Sequence, residues 1–371
     1  MKNNIYVTQP SLAPLDEFVE LLKGTWETGI LTHNGPLVRK LESDLCETLN
    51  VKNLSVVTNG TIALQMAIKA LELRGEIITT PFSWVATISA IKWEGCTPIF
   101  CDIDESTFNI DPKKIEALIT DKTVAIMPVH VFGNPCDVYA IEAIAKKHGL
   151  KIIYDSAHAI GSTINDTSLL ECGDISATSF HGTKLFNTAE GGACVTKSDV
   201  LSNKLNRIRF FGHDDDKDIV EDGFNGKMTE LHAALGLANL KYYADVLDDR
   251  ELKYKKYKDE LCGLEGVNFQ KIAIGEINFS YFPIVFESEN KLLEVETCLN
   301  ENGIHPRRYF YPSLNNLINI VVYQNCPISE SLSSRILCLP LYKNLSDAEQ
   351  TGIIKLIKSC FNITLFEDSN K

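Results

Sequence analysis

The chain has no C-x-x-C pair among its eleven cysteines, no basic segment leading into an apolar run near its start, and no stretch approaching the roughly 18 apolar residues of a membrane span. The first absence excludes the tight ligand grouping of structural zinc and of disulfide frameworks, so the cysteines read as reduced, small core residues and no metal is expected. From the other two, neither a secretory leader nor a membrane anchor is expected, and the expected location is the cytoplasm. Positive charge is scarce too, with 36 Lys+Arg against 49 Asp+Glu and a net charge of -13. Such an acidic protein is poorly suited to gripping a phosphate backbone, so nucleic acid is not an expected partner, while a local basic site for a small anion stays open. Neither G-x-G-x-x-G nor G-x-x-x-x-G-K-[ST] occurs, which lowers the dinucleotide and nucleoside-triphosphate readings. There is no internal repeat and no low-complexity tract.

What is present is an ordinary globular composition, 44% hydrophobic and 23% charged over 371 residues, enough for two domains. From residue 54 apolar runs alternate with amphipathic segments. LSVVTNG (54–60) reads as a strand and TIALQMAIKALEL (61–73) as a helix. EIITTP (76–81) is a strand, FSWVATISAIKWEG (82–95) a helix, TPIFCDID (97–104) a strand and DPKKIEALI (111–119) a helix. TVAIMPVH (123–130), DVYAIEAIAKKHG (137–149) and KIIYDSAH (151–158) continue the pattern as strand, helix and strand. Alternation of this kind predicts an α/β fold with a mostly parallel sheet and helices on both faces. The first fifty residues read as an irregular segment, a turn at Asn34-Gly35-Pro36, and a helix carrying Val38, Leu41, Leu45 and Leu49. From about 240 a long polar helix, a strand within 277–286 and an amphipathic segment at 291–303 predict a smaller α+β domain. The expected division is 1–240 and 241–371.

Ligands of parallel sheets gather at the carboxyl ends of the strands. The first strand ends at Thr58-Asn59-Gly60-Thr61, where a helix start could receive an anion and Gly60 permits close approach, although a plain N-cap explains the same residues. Trp84 stands just inside the next predicted helix, as a stacking platform or as core. Asp155 follows three apolar strand residues and is costly to bury without a cationic partner; with His158 it forms a site pair, or else an N-cap beside a solvated histidine. SFHGTKLFNTAEGG (179–192) brings Ser179, His181 and Lys184 to the rim. A desolvated Lys184 loses its proton more readily and can attack a carbonyl, whereas a lysine beside apolar residues is more often a snorkelling surface group. His213 beside Asp214, Asp215 and Asp216 reads as a solvated turn rather than a metal site. Arg307 and Arg308 in HPRRYFYPS could meet a phosphate or carboxylate, or form an ordinary basic turn.

Anion cradle, ring platform, carboxylate and amine together suit pyridoxal 5'-phosphate. LTHNGP, TNGTIAL, PFSWVAT, PVHVFGNP, DSAHAIGS, SFHGTKLFNTAEGGA and GFNGKMTELHAALG occur in the order and spacing of the DegT/DnrJ/EryC1/StrS family of sugar aminotransferases, which the chain resembles over nearly its full length. The resemblance implies the type I aspartate aminotransferase fold. It makes Lys184 the Schiff-base lysine, Asp155 the partner of the pyridine nitrogen and His158 the residue near the ring hydroxyl. Gly60, Thr61 and Ser179 fall on the phosphate, Trp84 against the ring, and Asn225 reaches the phosphate from the other subunit of a homodimer. His158 stands where the family often has glutamine, and Trp84 where a smaller aromatic is frequent. Substrate contacts are expected at Thr32, Asn34, His181, His213, Arg308 and Tyr309. The implied reaction moves an amino group from L-glutamate to C4 of a dTDP-linked 4-keto-6-deoxy sugar destined for surface polysaccharide. Amination at C3 uses the same machinery, and a non-catalytic cofactor-binding regulator is the alternative of another class. A related dehydratase branch has histidine at the Schiff-base position, and Lys184 argues against it.

Overall fold

The computed structural model describes residues 4–361. Seven strands form the main sheet in the order Asn53–Val57, Gly192–Thr196, Ile175–Ser179, Lys151–Asp155, Thr123–Met127, Glu76–Thr79 and Thr97–Phe100. Neighbours are parallel except at Gly192–Thr196, which runs antiparallel to both strands beside it. The sheet is therefore mixed and mostly parallel, within the expected α/β class. Both its faces are covered, and the two-residue period of the strands sorts side chains between them. Val57 and Cys194 pack with Met66, Ala67 and Ile77 on one side, while Val56, Ala193 and Val195 pack with Leu41, Leu45 and Leu237 on the other.

Several elements depart from expectation. The "irregular" start contains a helix, Leu15–Thr28, entered through Pro14 and closed by Gly29 in the left-handed conformation. Its Leu15, Phe18, Val19, Leu22 and Trp26 recur at helical spacing, although Leu15, Val19 and Trp26 are exposed. Gly192–Thr196, hidden behind the Gly191-Gly192 pair, is a fully buried strand. The helix after Pro81 begins only at Ala86, which leaves Trp84 in the bend before it. The 111–119 helix shortens to Pro112–Ile115 followed by a 3-10 turn at Glu116–Leu118. The 97–104 strand stops at Phe100.

Beyond the Glu230–Leu240 helix, the long Tyr243–Leu261 helix forms as expected. It leads into a three-stranded antiparallel sheet of Val267–Phe269, Phe282–Phe286 and Ile336–Leu339. Tyr257, Phe282, Ile284, Phe286, Leu292 and Ile353 share its core. The expected 277–286 strand begins only at Phe282 because Asn278 is otherwise engaged: its amide donates to the carbonyls of His158 and Ile160, at 2.7 Å each. That clamp fixes the segment holding Tyr281 against the main sheet's rim. Near the start of the chain, Ile5–Tyr6 pairs in parallel with Ile304–His305. All eleven cysteines are free and six are buried. No helix among the described residues is long and apolar enough to cross a membrane.

Candidate active site

One cavity of about 680 Å³ opens at the carboxyl ends of the main-sheet strands. Its wall includes Gly60, Thr61, Trp84, Asp155, His158 and Ser179, together with His181, Lys184 and Tyr309. These residues come from segments separated by up to about two-thirds of the chain, and strand ends deliver most of them.

Asp155 is the last residue of its strand and is buried. Burial pushes its carboxyl upward; hydrogen bonds from Thr87 and Ala157, and the Lys184 charge, pull the other way. Thr87 Oγ1 donates to Oδ2 at 2.7 Å and the Ala157 N–H to Oδ1 at 3.2 Å. Lys184 lies on the same wall. Burial draws its ammonium from 10.5 down to about 8, against the opposing pull of Asp155. Its Nζ is 3.3 Å from the hydroxyl of Tyr281.

His158 is buried, which holds its pKa well below the ordinary range, and the nearby Lys184 charge acts in the same direction. The ring is therefore neutral. Its Nδ1 accepts from the Phe132 N–H at 3.3 Å, so the ring proton resides on Nε2. Near-parallel rings of Phe132 and Phe310, with centroids at 6.1 and 5.7 Å, fix its plane.

At the first strand end, Asn59 caps the Gly60–Ala70 helix by accepting from the Ile62 N–H at 2.9 Å. The N–H groups of Gly60 and Thr61 precede any intrahelical partner and suit an anion. Ser179 lies alongside: a Cβ on Gly60 would come within 2.8 Å of the Ser179 Cβ. Only glycine lets the helix start and the serine hydroxyl share one anion.

Five expected residues lie outside this chain's cavity. Thr32 hydrogen-bonds its neighbour His33 at 2.6 Å. Asn34 sits in a left-handed turn with its Oδ1 buried. His213 packs on Phe210 with ring centroids 5.0 Å apart. Asn225 is exposed and accepts from Lys227 Nζ at 2.6 Å. Arg308 turns away to Glu289, at 2.6 Å, and it is Arg307 that lines the cavity. Thr87 and Tyr281 were not singled out from sequence. The only hint of Thr87 was its place four residues beyond Ser83, to whose hydroxyl it is hydrogen-bonded at 2.8 Å.

The donor set fits pyridoxal phosphate: a helix start and hydroxyl for a phosphate, a buried carboxylate needing a cation, and an amine with a depressed pKa. Residues 15–358 match the DegT/DnrJ/EryC1/StrS aminotransferase family. The chain belongs to that family. It is a pyridoxal-phosphate-dependent sugar aminotransferase by membership, as expected from its motifs. Among family relatives, the dTDP-4-amino-4,6-dideoxy-D-glucose transaminase of Shigella dysenteriae is 43% identical, covering 96% of this chain and 99% of the relative. The Escherichia coli protein of that name is 38% identical over 95% and 98%. The solved structure of DesI with its TDP-sugar product is 30% identical and superposes with a TM-score of 0.93, covering 98% of this chain and 94% of that one.

Proposed function

We propose that the protein transfers the amino group of L-glutamate to C4 of dTDP-4-keto-6-deoxyglucose, yielding dTDP-4-amino-4,6-dideoxyglucose. In this reading it works as a cytoplasmic homodimer that supplies an amino sugar for O-antigen lipopolysaccharide or another surface polysaccharide. The meeting of Lys184 and Asp155 in one cavity carries the reading, in a chain 43% identical to a transaminase named for this product.

Pyridoxal phosphate, when bound, supplies a carbonyl that takes up the amino group and a ring that accepts the electron pair left when a proton departs the substrate carbon. Lys184 is the amine for that carbonyl. Its Nζ would take the proton from the donor's α-carbon in the first half-reaction and deliver one to the sugar's C4 in the second. Its depressed pKa, about 8, keeps a useful fraction of the amine neutral near pH 7. Asp155, held by Thr87 and Ala157, keeps the pyridine nitrogen protonated, and that proton in turn lets a buried carboxylate stay charged. His158 Nε2–H would donate to the ring oxygen. Gly60 and Thr61 N–H groups and the Ser179 hydroxyl would bind the phosphate, and Asn225 from the other subunit of the dimer would complete that cradle. Trp84, 51% exposed at the cavity wall, would shield the ring from water.

The test is incubation of the purified enzyme with dTDP-4-keto-6-deoxyglucose and L-glutamate, followed by NMR of the product. The amine is expected on C4; an amine on C3, or none, overturns the reading.

A further inference from the structure

Among the described residues the Lys184 amine has a single hydrogen-bond partner, the Tyr281 hydroxyl, 3.3 Å from Nζ. That hydroxyl bonds nothing else among them. The Asp155 carboxylate takes its hydrogen bonds from Thr87 and Ala157 and reaches Lys184 only through its charge. The group that touches the reacting amine is therefore a phenol, delivered from the far side of the cavity across 97 residues of chain.

The surroundings of Tyr281 fix where its hydroxyl stands. It is the residue just before the Phe282–Phe286 strand of the three-stranded sheet. Asn278 holds the approach to it: its amide donates to the carbonyls of His158 and Ile160, and its Oδ1 accepts from the Ser280 N–H at 3.2 Å. From behind, Arg250, buried in the Tyr243–Leu261 helix, donates from Nη1 to the Ser280 carbonyl at 2.9 Å. The Tyr281 ring packs on His158, Phe132 and Tyr309 with centroids at 4.7, 5.4 and 5.6 Å. Two main-chain clamps and three rings set the hydroxyl in place before any ligand arrives, which is what positioning a reacting group requires.

We propose that Tyr281 is a further catalytic residue, whose hydroxyl holds and aims Lys184 Nζ while that amine carries the proton. This rests on the reading above in which Lys184 is the proton carrier. An amine that takes a proton and gives it back passes through two states, ammonium and neutral amine. Burial pushes the Tyr281 phenol upward, against the pull of Arg250 and Arg307, so it stays protonated. A protonated phenol accepts from an ammonium N–H and, on turning its O–H, donates to the lone pair of the neutral amine. A carboxylate in the same place would serve the ammonium alone and would hold the proton back. The hydroxyl still favours the ammonium modestly, because a hydrogen bond to a charged group is stronger than one between neutral groups.

The test variant is Tyr281→Phe, which keeps the ring contacts and deletes the hydroxyl. It leaves in place Asp155 and His158 beside Lys184, and Arg250, Arg307, Tyr309 and Cys338 beside Tyr281. In the cofactor-free protein, Lys184 is titrated through its rate of modification by an amine-reactive reagent, read by peptide mapping. Wild type is expected to titrate at about 8, and Tyr281→Phe at lower pH, with an acid dissociation constant roughly 3- to 10-fold larger. In the cofactor-loaded enzyme, single turnovers with α-protonated and α-deuterated L-glutamate time the proton step. That step should slow on the order of 10-fold in Tyr281→Phe, with KM for L-glutamate changed less than about twofold. A Lys184 titration identical to wild type, or a proton step at wild-type speed, overturns the proposal. Absence of an isotope effect in wild type would instead sink the reading in which Lys184 takes a proton from L-glutamate. The cofactor-free titration needs no donor and then decides alone: a lowered midpoint upholds the pairing, and an unchanged one overturns it.

Discussion

Thr87 Oγ1 donates to Asp155 Oδ2 at 2.7 Å, and both groups are buried. The hydroxyl of Ser83, four residues earlier and ahead of the helix, bonds Thr87 at 2.8 Å, so a short chain of hydroxyls orients the carboxylate from behind. A buried carboxylate held in this way keeps its aim before any ligand arrives, which is the kind of preorganisation electrostatic catalysis depends on.

Thr87→Val keeps the shape and removes the donor. Losing a hydrogen bond to a charged group should weaken pyridoxal phosphate binding roughly 10-fold or more. Asp155→Ala removes the charge itself and should lower kcat on the order of 10²-fold or more while the fold persists. Equilibrium dialysis and steady-state rates measure both; a Thr87→Val enzyme with wild-type cofactor affinity would show that the hydroxyl chain is idle.

Lys184 makes the stability of the cofactor-free protein depend on pH. Its folded pKa, about 8, lies below the ordinary 10.5, so between those values the unfolded chain binds more protons. The destabilisation from its buried charge is complete below pH 8 and disappears as pH rises to about 10.5. Urea unfolding should find Lys184→Met more stable than wild type at pH 7, with the gap narrowing by pH 10. A gap independent of pH would contradict the depressed pKa. Lys184→Ala should also lose turnover yet still bind pyridoxamine phosphate.

His158 contributes a donor and a ring. His158→Phe preserves stacking on Phe132 and Phe310 but deletes Nε2–H, and should weaken the cofactor by roughly 10-fold with little change in Tm. His158→Gln restores a donor and should recover part of that loss. Wild-type affinity in His158→Phe, with a loss only in His158→Gln, would mean that stacking alone matters.

Gly60→Ala would drive a Cβ to 2.8 Å from the Ser179 Cβ. Something must shift, at a cost of about 1–3 kcal/mol. Because the shift opens the anion cradle, cofactor affinity should fall further than stability does. Denaturant melts and cofactor titration separate the two effects.

Asn225 lies outside its own chain's cavity, so the dimer reading makes a strict prediction about mixed subunits. Neither Lys184→Ala nor Asn225→Ala homodimers should match wild type. A heterodimer of the two carries both defects in one site and none in the other, so purified heterodimers should regain about half of wild-type turnover. No recovery on mixing would remove Asn225 from the partner's site.

The reaction chemistry was legible in the linear chain for a local reason. Asp155 ends a strand announced by its apolar run and Ser179 one announced by the alternation of Ile175, Ala177 and Ser179, and Lys184 follows five residues after Ser179, so strand direction alone carries all three to one rim. Gly60 was readable in the same way, as the end of the predicted 54–60 strand, and in the fold it opens the helix that follows. The Gly192–Thr196 strand escaped because it is buried on both faces and shows no period, whereas the Leu15–Thr28 helix carries Leu15, Phe18, Val19, Leu22 and Trp26 at helical spacing and was legible in principle. Folding settled what spacing cannot express. Tyr281 meets Lys184 across 97 residues because Asn278 clamps its segment to the turn after Asp155, and Thr87 reaches Asp155 across 68. The choice between Arg307 and Arg308 turned on which of two adjacent side chains found Glu289. Adjacent residues share composition and motif but not direction, and direction is a property of the packed chain.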